Sequence, residues 1–224
     1  MGTSSARRAP TSWFWRRAKG AATRYLSPPE GVGLEAREVV ARYLAALGED
    51  AGSGSPDLLA AFRLTRKAAQ TLGAFAAQAA PRKEEAPPVV AGRLLEPDGS
   101  LEGAVARSAL AAVLQDFGGA ADAAPAAVVT RFLAESLYQR LALDLGEPLE
   151  ATSRSCSHWR QGLAGLKGWI ADAAPEEPEA PGSPEKWRGL AGWTWVTRTL
   201  EQMLQQLSAS PPGKTEAPGA RKDG

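Results

Sequence analysis

Residues 126–145 read AAVVTRFLAESLYQRLALDL, and this stretch decides the fold class. Leu133, Leu137, Leu141 and Leu145 recur every four residues, and Phe132 joins them. That spacing stacks the large side chains along one side of an α-helix, so a helix is predicted from Ala126 to Leu145. Working outward, Val39, Val40, Tyr43, Leu44 and Leu47 share one face of a helix predicted over about 34–47, with Gly48 as its C-cap. Ser55-Pro56-Asp57 reads as the start of a second helix reaching about Ala80, which carries Leu58, Leu59, Phe62, Leu72 and Phe75. Leu101–Phe117 is helical up to Gly118-Gly119, and Ser157–Ala173 turns Trp159, Leu163, Leu166 and Ile170 inward. A last helix is predicted over about Pro184–Leu207, with Trp193, Val196, Leu200, Met203, Leu204 and Leu207 as its stripe. Val89–Leu95 reads as a short strand or extended segment. Alternation of period two is otherwise almost absent, so the expected fold is all-α: an irregular bundle of about five to six helices.

Around that body the composition changes. Residues 1–30 form a basic, aromatic stretch with no acidic residue before Glu30 and are expected to be a flexible arm. Residues 31–207 are expected to be the helical domain, with linkers near 48–55, 81–88 and 174–184. Residues 208–224 are Pro, Gly and charge, and read as a disordered tail. The chain of 224 residues is long enough for one domain with a real core. A net charge of +1 argues against a global nucleic-acid or membrane field. No apolar run approaches the length of a bilayer span, and no apolar targeting segment opens the chain. With a single Cys no intramolecular disulfide can form, which points to a reducing, cytoplasmic compartment. The richness in Ala, Gly, Pro and Arg suits a high-GC bacterial genome.

The residue types that carry catalysis are scarce. Cys156 and His158 are the only Cys and the only His, too few for a zinc site. Lying two apart, they do not face each other on a helix, so they read as positions near a helix start capped by Ser155 or Ser157. Neither a Walker motif nor a dinucleotide fingerprint is present; Gly213-Lys214-Thr215 sits in the tail, and Gly52-Ser53-Gly54-Ser55 lacks the lysine. Glu84-Glu85 and Glu176-Glu177 lie in solvated loops, where a carboxyl is not tuned for acid–base work. No cofactor or metal is implied, and the chain reads as a binding protein rather than an enzyme. Seven Trp offer either helix packing or a partner interface. Trp195, off the stripe of Trp193 and Val196, is the interface candidate. In the N-terminal stretch, Arg7, Arg8, Trp13, Trp15, Arg16 and Arg17 could contact single-stranded nucleic acid or a partner protein, or the stretch could fold onto its own domain. Three consecutive aromatics, Trp13-Phe14-Trp15, fit no single amphipathic face of the kind a membrane surface demands.

The chain opens Met1-Gly2-Thr3-Ser4-Ser5. Loss of the initiator Met leaves Gly2 with an α-amine of pKa about 7.7–8, nucleophilic in part at neutral pH. Ala6 breaks the myristoylation pattern. This opening, with the helix Val128–Leu141 followed by Asp144 and Gly146, resembles the QatB family, the small helical component of the four-part Qat anti-phage defence system. Members open Gly-Thr-Ser, then a Ser and a flexible Gly-Pro stretch; here Arg7-Arg8-Ala9-Pro10 stands in place of the Gly-Pro. The resemblance spans about half of the chain as a loose pattern. It implies an ATPase, a QueC-like enzyme and a TatD-like nuclease as partners. QueC-like enzymes use ATP to activate a deazaguanine carboxylate, which an amine can capture. The resemblance therefore implies that Gly2 is the modified acceptor, with Thr3, Ser4 and Ser5 recognised by the modifying enzyme. The alternative reading is a nucleic-acid-binding adaptor that uses the basic aromatic stretch.

Overall fold

The helix over the leucine repeat is the longest element and the one around which the others pack. A computed structural model describes residues 12–27, 34–50, 58–78, 87–95, 99–116, 124–175 and 179–209. Among these, the elements in chain order are α1 (Trp13–Leu26), α2 (Ala36–Asp50), a 3-10 turn (Leu58–Phe62), α3 (Arg63–Ala76), α4 (Pro87–Leu94), α5 (Leu101–Asp116), α6 (Pro125–Thr152), α7 (Cys156–Asp172), α8 (Pro184–Arg188) and α9 (Leu190–Ser208). The fold is all-α, with more helices than the sequence reading expects and no strand among the described residues. Phe132, Leu137, Leu141, Leu145 and Leu149 of α6 are fully buried, and every residue from Phe132 to Leu137 is buried. A helix apolar on all sides belongs at the centre, and α6 packs against α1, α3, α5, α7 and α9. One continuous core takes residues from each of the nine α-helices among the described residues.

Several expectations are corrected. The stretch read as a flexible arm contains α1, whose Trp15, Ala18, Ala21, Ala22 and Leu26 are buried. Its alanines let it lie against α2 and α6 at short range, and Trp15 meets Tyr43 edge-on at 5.9 Å. Val89–Leu95 is helical rather than extended: α4 starts on Pro87-Pro88, where a fixed φ suits a first turn. Burial of Val90 and Ala91, with Val89 exposed, follows a helical face. The second helix starts only at Arg63, after the 3-10 turn. Gly48 is buried inside α2 instead of capping it. Beyond Leu145, α6 continues through Gly146 and Pro148 to Thr152. An interior Pro costs about 3 kcal/mol; complete burial of Leu149 offsets it, and Thr152 Oγ1 donates to the Pro148 carbonyl at 2.9 Å. Expected linkers and tail fall largely on residues 51–57, 81–86, 176–178 and 210–224, outside the described residues.

The predicted last helix is broken at Gly189, which is extended. The break turns Trp187 into the core, fully buried and edge-on to Trp195 at 5.1 Å. Its ring lies against the backbone of Gly73, where a Cβ would run into the indole, and Gly192 passes so close to the Trp187 carbonyl that no side chain fits. Gln70 Nε2 donates to the Gly189 carbonyl at 2.9 Å and fixes the break to α3. Gly73→Ala should therefore lower stability by about 1–3 kcal/mol in urea unfolding through overpacking. Gly168→Ala, on an exposed turn of α7 with open space around it, should raise stability by up to about 1 kcal/mol through helix propensity. If both substitutions are neutral, Trp187 does not wedge against Gly73.

Candidate functional site

The residues singled out near the N-terminus divide sharply once α1 forms. Ser12 caps the helix, its hydroxyl oxygen accepting from the Trp15 N–H at 3.4 Å. The same hydroxyl donates to Glu49 at the far end of α2, so the two helices run antiparallel. Trp15 faces the core, 3% exposed, and is removed from the contact set. Trp13 and Phe14 remain on the surface, 53% and 37% exposed, packed edge-on at 4.9 Å. Arg16 and Arg17 are exposed, and the Arg17 guanidinium sits 4.5 Å from the centre of the Trp13 ring. Gly2, Thr3, Ser4, Ser5, Arg7 and Arg8 lie outside the described residues.

Helical spacing extends this surface to residues the sequence reading did not assign to a site. Trp13, Arg17, Gly20 and Arg24 follow one another at intervals of four, three and four, so they share a face of α1. On α2, Arg42 stands two turns before Glu49 and so lies alongside the span between Arg17 and Arg24. Burial lowers the Arg42 pKa and the Arg24 and Arg17 charges depress it further, with Glu38 opposing from 4.0 Å. Among the described residues neither Arg17 nor Arg24 is ion-paired to a carboxylate; Arg24 Nε donates to the Gly20 carbonyl at 3.3 Å. A Cβ built on Gly20 would meet nothing, so the floor between the arginines is open.

A partly buried polar network ties α2 to α6 around the fully buried Tyr43. Asp144 Oδ2 accepts from the Tyr43 hydroxyl and from Arg140 Nε, both at 2.9 Å. Burial drives the Tyr43 pKa well above that of a free phenol, and the Asp144 carboxylate adds to the rise. For Arg140 burial alone would lower the pKa, but Asp144 and Tyr43 outweigh it. The network joins α2 to α6, so it fixes the register of the helix that carries Arg42. Elsewhere, Trp195 is 7% exposed and packed on Trp187, which corrects its reading as an exposed interface: the buried side of α9 keeps Val196, Leu200, Met203, Leu204 and Leu207 but is wide enough to take in Trp195 and Thr199 as well. Trp193 instead is half-buried, with the Arg66 guanidinium 4.8 Å from its ring centre. Cys156 is exposed at the start of α7, and His158 Nδ1 accepts from the Arg154 N–H at 3.3 Å. Ser155 caps that helix through the His158 N–H at 3.1 Å. A shallow groove of about 340 Å³ between the start of α2 and α7 is lined by Glu35, Arg37, Trp169 and Asp172. Among the described residues no group of three or more His, Cys, Asp or Glu could hold a metal, and no helix is long and apolar enough to cross a membrane.

Tyr43→Phe should cost about 1–3 kcal/mol, because Asp144 loses a buried hydrogen bond. A phenol whose folded pKa lies above its unfolded value stabilises the fold while protonated. That contribution is intact below about pH 10 and is lost as pH climbs toward the raised value. Urea unfolding between pH 8 and pH 11 should show stability falling at the alkaline end, with a shallower fall in Tyr43→Phe; identical slopes would count against the buried phenol.

Compared with known proteins, the chain matches no family model, no curated protein and no solved structure.

Proposed function

We propose that this chain is a non-enzymatic component of a multi-protein anti-phage defence system: a helical adaptor whose Gly2 is modified by a QueC-like partner enzyme. The observation that carries the reading is the Gly2-Thr3-Ser4-Ser5 opening taken together with the α6 sequence Val128–Leu141, Asp144 and Gly146. Both belong to the resemblance to the QatB family. The α6 portion of that pattern supplies the centre of the core and, through Asp144, the polar network that holds α2. The opening precedes a helix pinned by Trp15, Ala18 and Leu26, so the acceptor would be presented from a fixed base. In this reading the partner enzyme activates the carboxylate with ATP as an acyl adenylate with release of pyrophosphate; the neutral Gly2 amine attacks the acyl carbon, the acyl–phosphate bond breaks, AMP leaves, and the amide nitrogen gives up a proton to a group of that enzyme. An ATPase and a TatD-like nuclease complete the assembly.

Intact-mass and N-terminal peptide spectrometry on chain purified from cells that also carry the QueC-like gene tests this directly. The expected product lacks Met1 and bears an adduct on the Gly2 nitrogen that disappears when the QueC-like gene is deleted. An unmodified Gly2, or a retained Met1, in the presence of the active enzyme would sink the proposal.

A further inference from the structure

The exposed face of the α1–α2 pair carries more positive charge than the fold can use. Arg17 and Arg24 lie one turn to either side of Gly20, Arg42 approaches from α2, and no carboxylate among the described residues pairs with the first two. Arg42 lies within reach of both charges: burial, Arg24 and Arg17 disfavour its charged form, and only the Glu38 carboxylate at 4.0 Å opposes them. Such an arrangement is relieved by an anion. Beside it stand Trp13 and Phe14, the only exposed aromatics of α1, with Arg17 against the indole. We propose that the Trp13–Arg17–Arg24–Arg42 face binds single-stranded nucleic acid, with backbone phosphates over Arg17, Arg24 and Arg42 and a base stacked on Trp13.

The observations favour this ligand over other polyanions. A membrane surface needs a continuous apolar face; α1 exposes only the adjacent Trp13 and Phe14, and its other large or small apolar residues, Trp15, Ala18, Ala21, Ala22 and Leu26, are buried in the core. An acidic protein segment would satisfy the arginines but gives no role to an exposed indole braced by a guanidinium. Nucleic-acid single strands need both parts: a basic track for the backbone and aromatic platforms for the bases. The open floor at Gly20 leaves room for a phosphate between the two arginines. The interaction is independent of any modification at Gly2, since every residue in it lies on α1 or α2.

The test is fluorescence anisotropy of the full chain with a labelled oligothymidylate of about twelve nucleotides, across a series of salt concentrations. Binding should weaken linearly with log salt, and Arg17→Ala/Arg24→Ala should reduce that slope by about 1.4, given about 0.7 per phosphate on single strands. Trp13→Ala should weaken binding at least about fivefold at constant slope. The control Arg188→Ala/Arg198→Ala removes the same charge from exposed sites on α8 and α9 and should leave the slope unchanged. All these positions are exposed, and circular dichroism should show that each variant keeps its helix content. No binding at low salt, an equal effect of the control pair, or equally tight binding of a blunt duplex would overturn the assignment. So would binding to phosphatidylserine vesicles with none to the oligonucleotide.

Discussion

The absence of any free side on α6 between Phe132 and Leu137 constrains everything around it. A helix whose successive residues are all buried must be covered from every direction, and amphipathic helices must supply the cover. α3, α5 and α7 do so with their apolar stripes, and α1 adds a face of small residues. That last contact explains why the N-terminal stretch is not loose. Alanine gives up little entropy on burial, so a helix of modest apolarity can still be fixed when it lies close to its neighbours.

The carboxylates that join the helices are paired, whereas Ser136 Oγ, Thr199 Oγ1 and Trp187 Nε1 are buried with no hydrogen-bond partner among the described residues. Asp144 accepts from Tyr43 and Arg140. Glu135, 5% exposed, receives Lys167 Nζ at 2.9 Å and Gln139 Nε2 at 3.1 Å, tying α7 to α6. Glu102, in the first turn of α5, accepts from the Leu64 and Thr65 N–H groups at 2.7 and 3.0 Å. It caps α3, which has no side-chain cap of its own. These three carboxylates act as joints between helices. The surface left over is a different matter: Arg17 and Arg24 on α1 make no such joint, which is why charge accumulates there.

The candidate site was legible in the sequence only in part. Arg16, Arg17 and Trp13 were identifiable from composition, because a run of basic and aromatic residues without acids is visible as such. Trp15 belongs to the same run yet is buried: nothing in composition separates the buried from the exposed member of Trp13-Phe14-Trp15, and only a helix with a fixed inner face does so. Arg42 was not legible at all. It joins the cluster across the α1–α2 contact, at a distance in sequence that no spacing rule reaches. Trp195 is a related case: its helix buries a side wider than the stripe of large residues, because Trp187, held against Gly73 of another element, packs on it.

By itself the sequence determined the helical class, the central helix with its leucine repeat, the inner faces of α2 and α7, and the Ser155 cap. These follow from local periodicity and capping, which depend on residues within one or two turns. It also held the Gly2-Thr3-Ser4-Ser5 opening on which the functional reading rests. Tertiary structure decided the docking of α1, the helical state of Val89–Leu94, the continuation of α6 past Pro148 and the break before α9. In each of these, local propensity is weak or adverse, and burial against a distant partner supplies the difference. The basic face belongs to the second group, because like charges gather only where two helices that fold for other reasons happen to set them side by side.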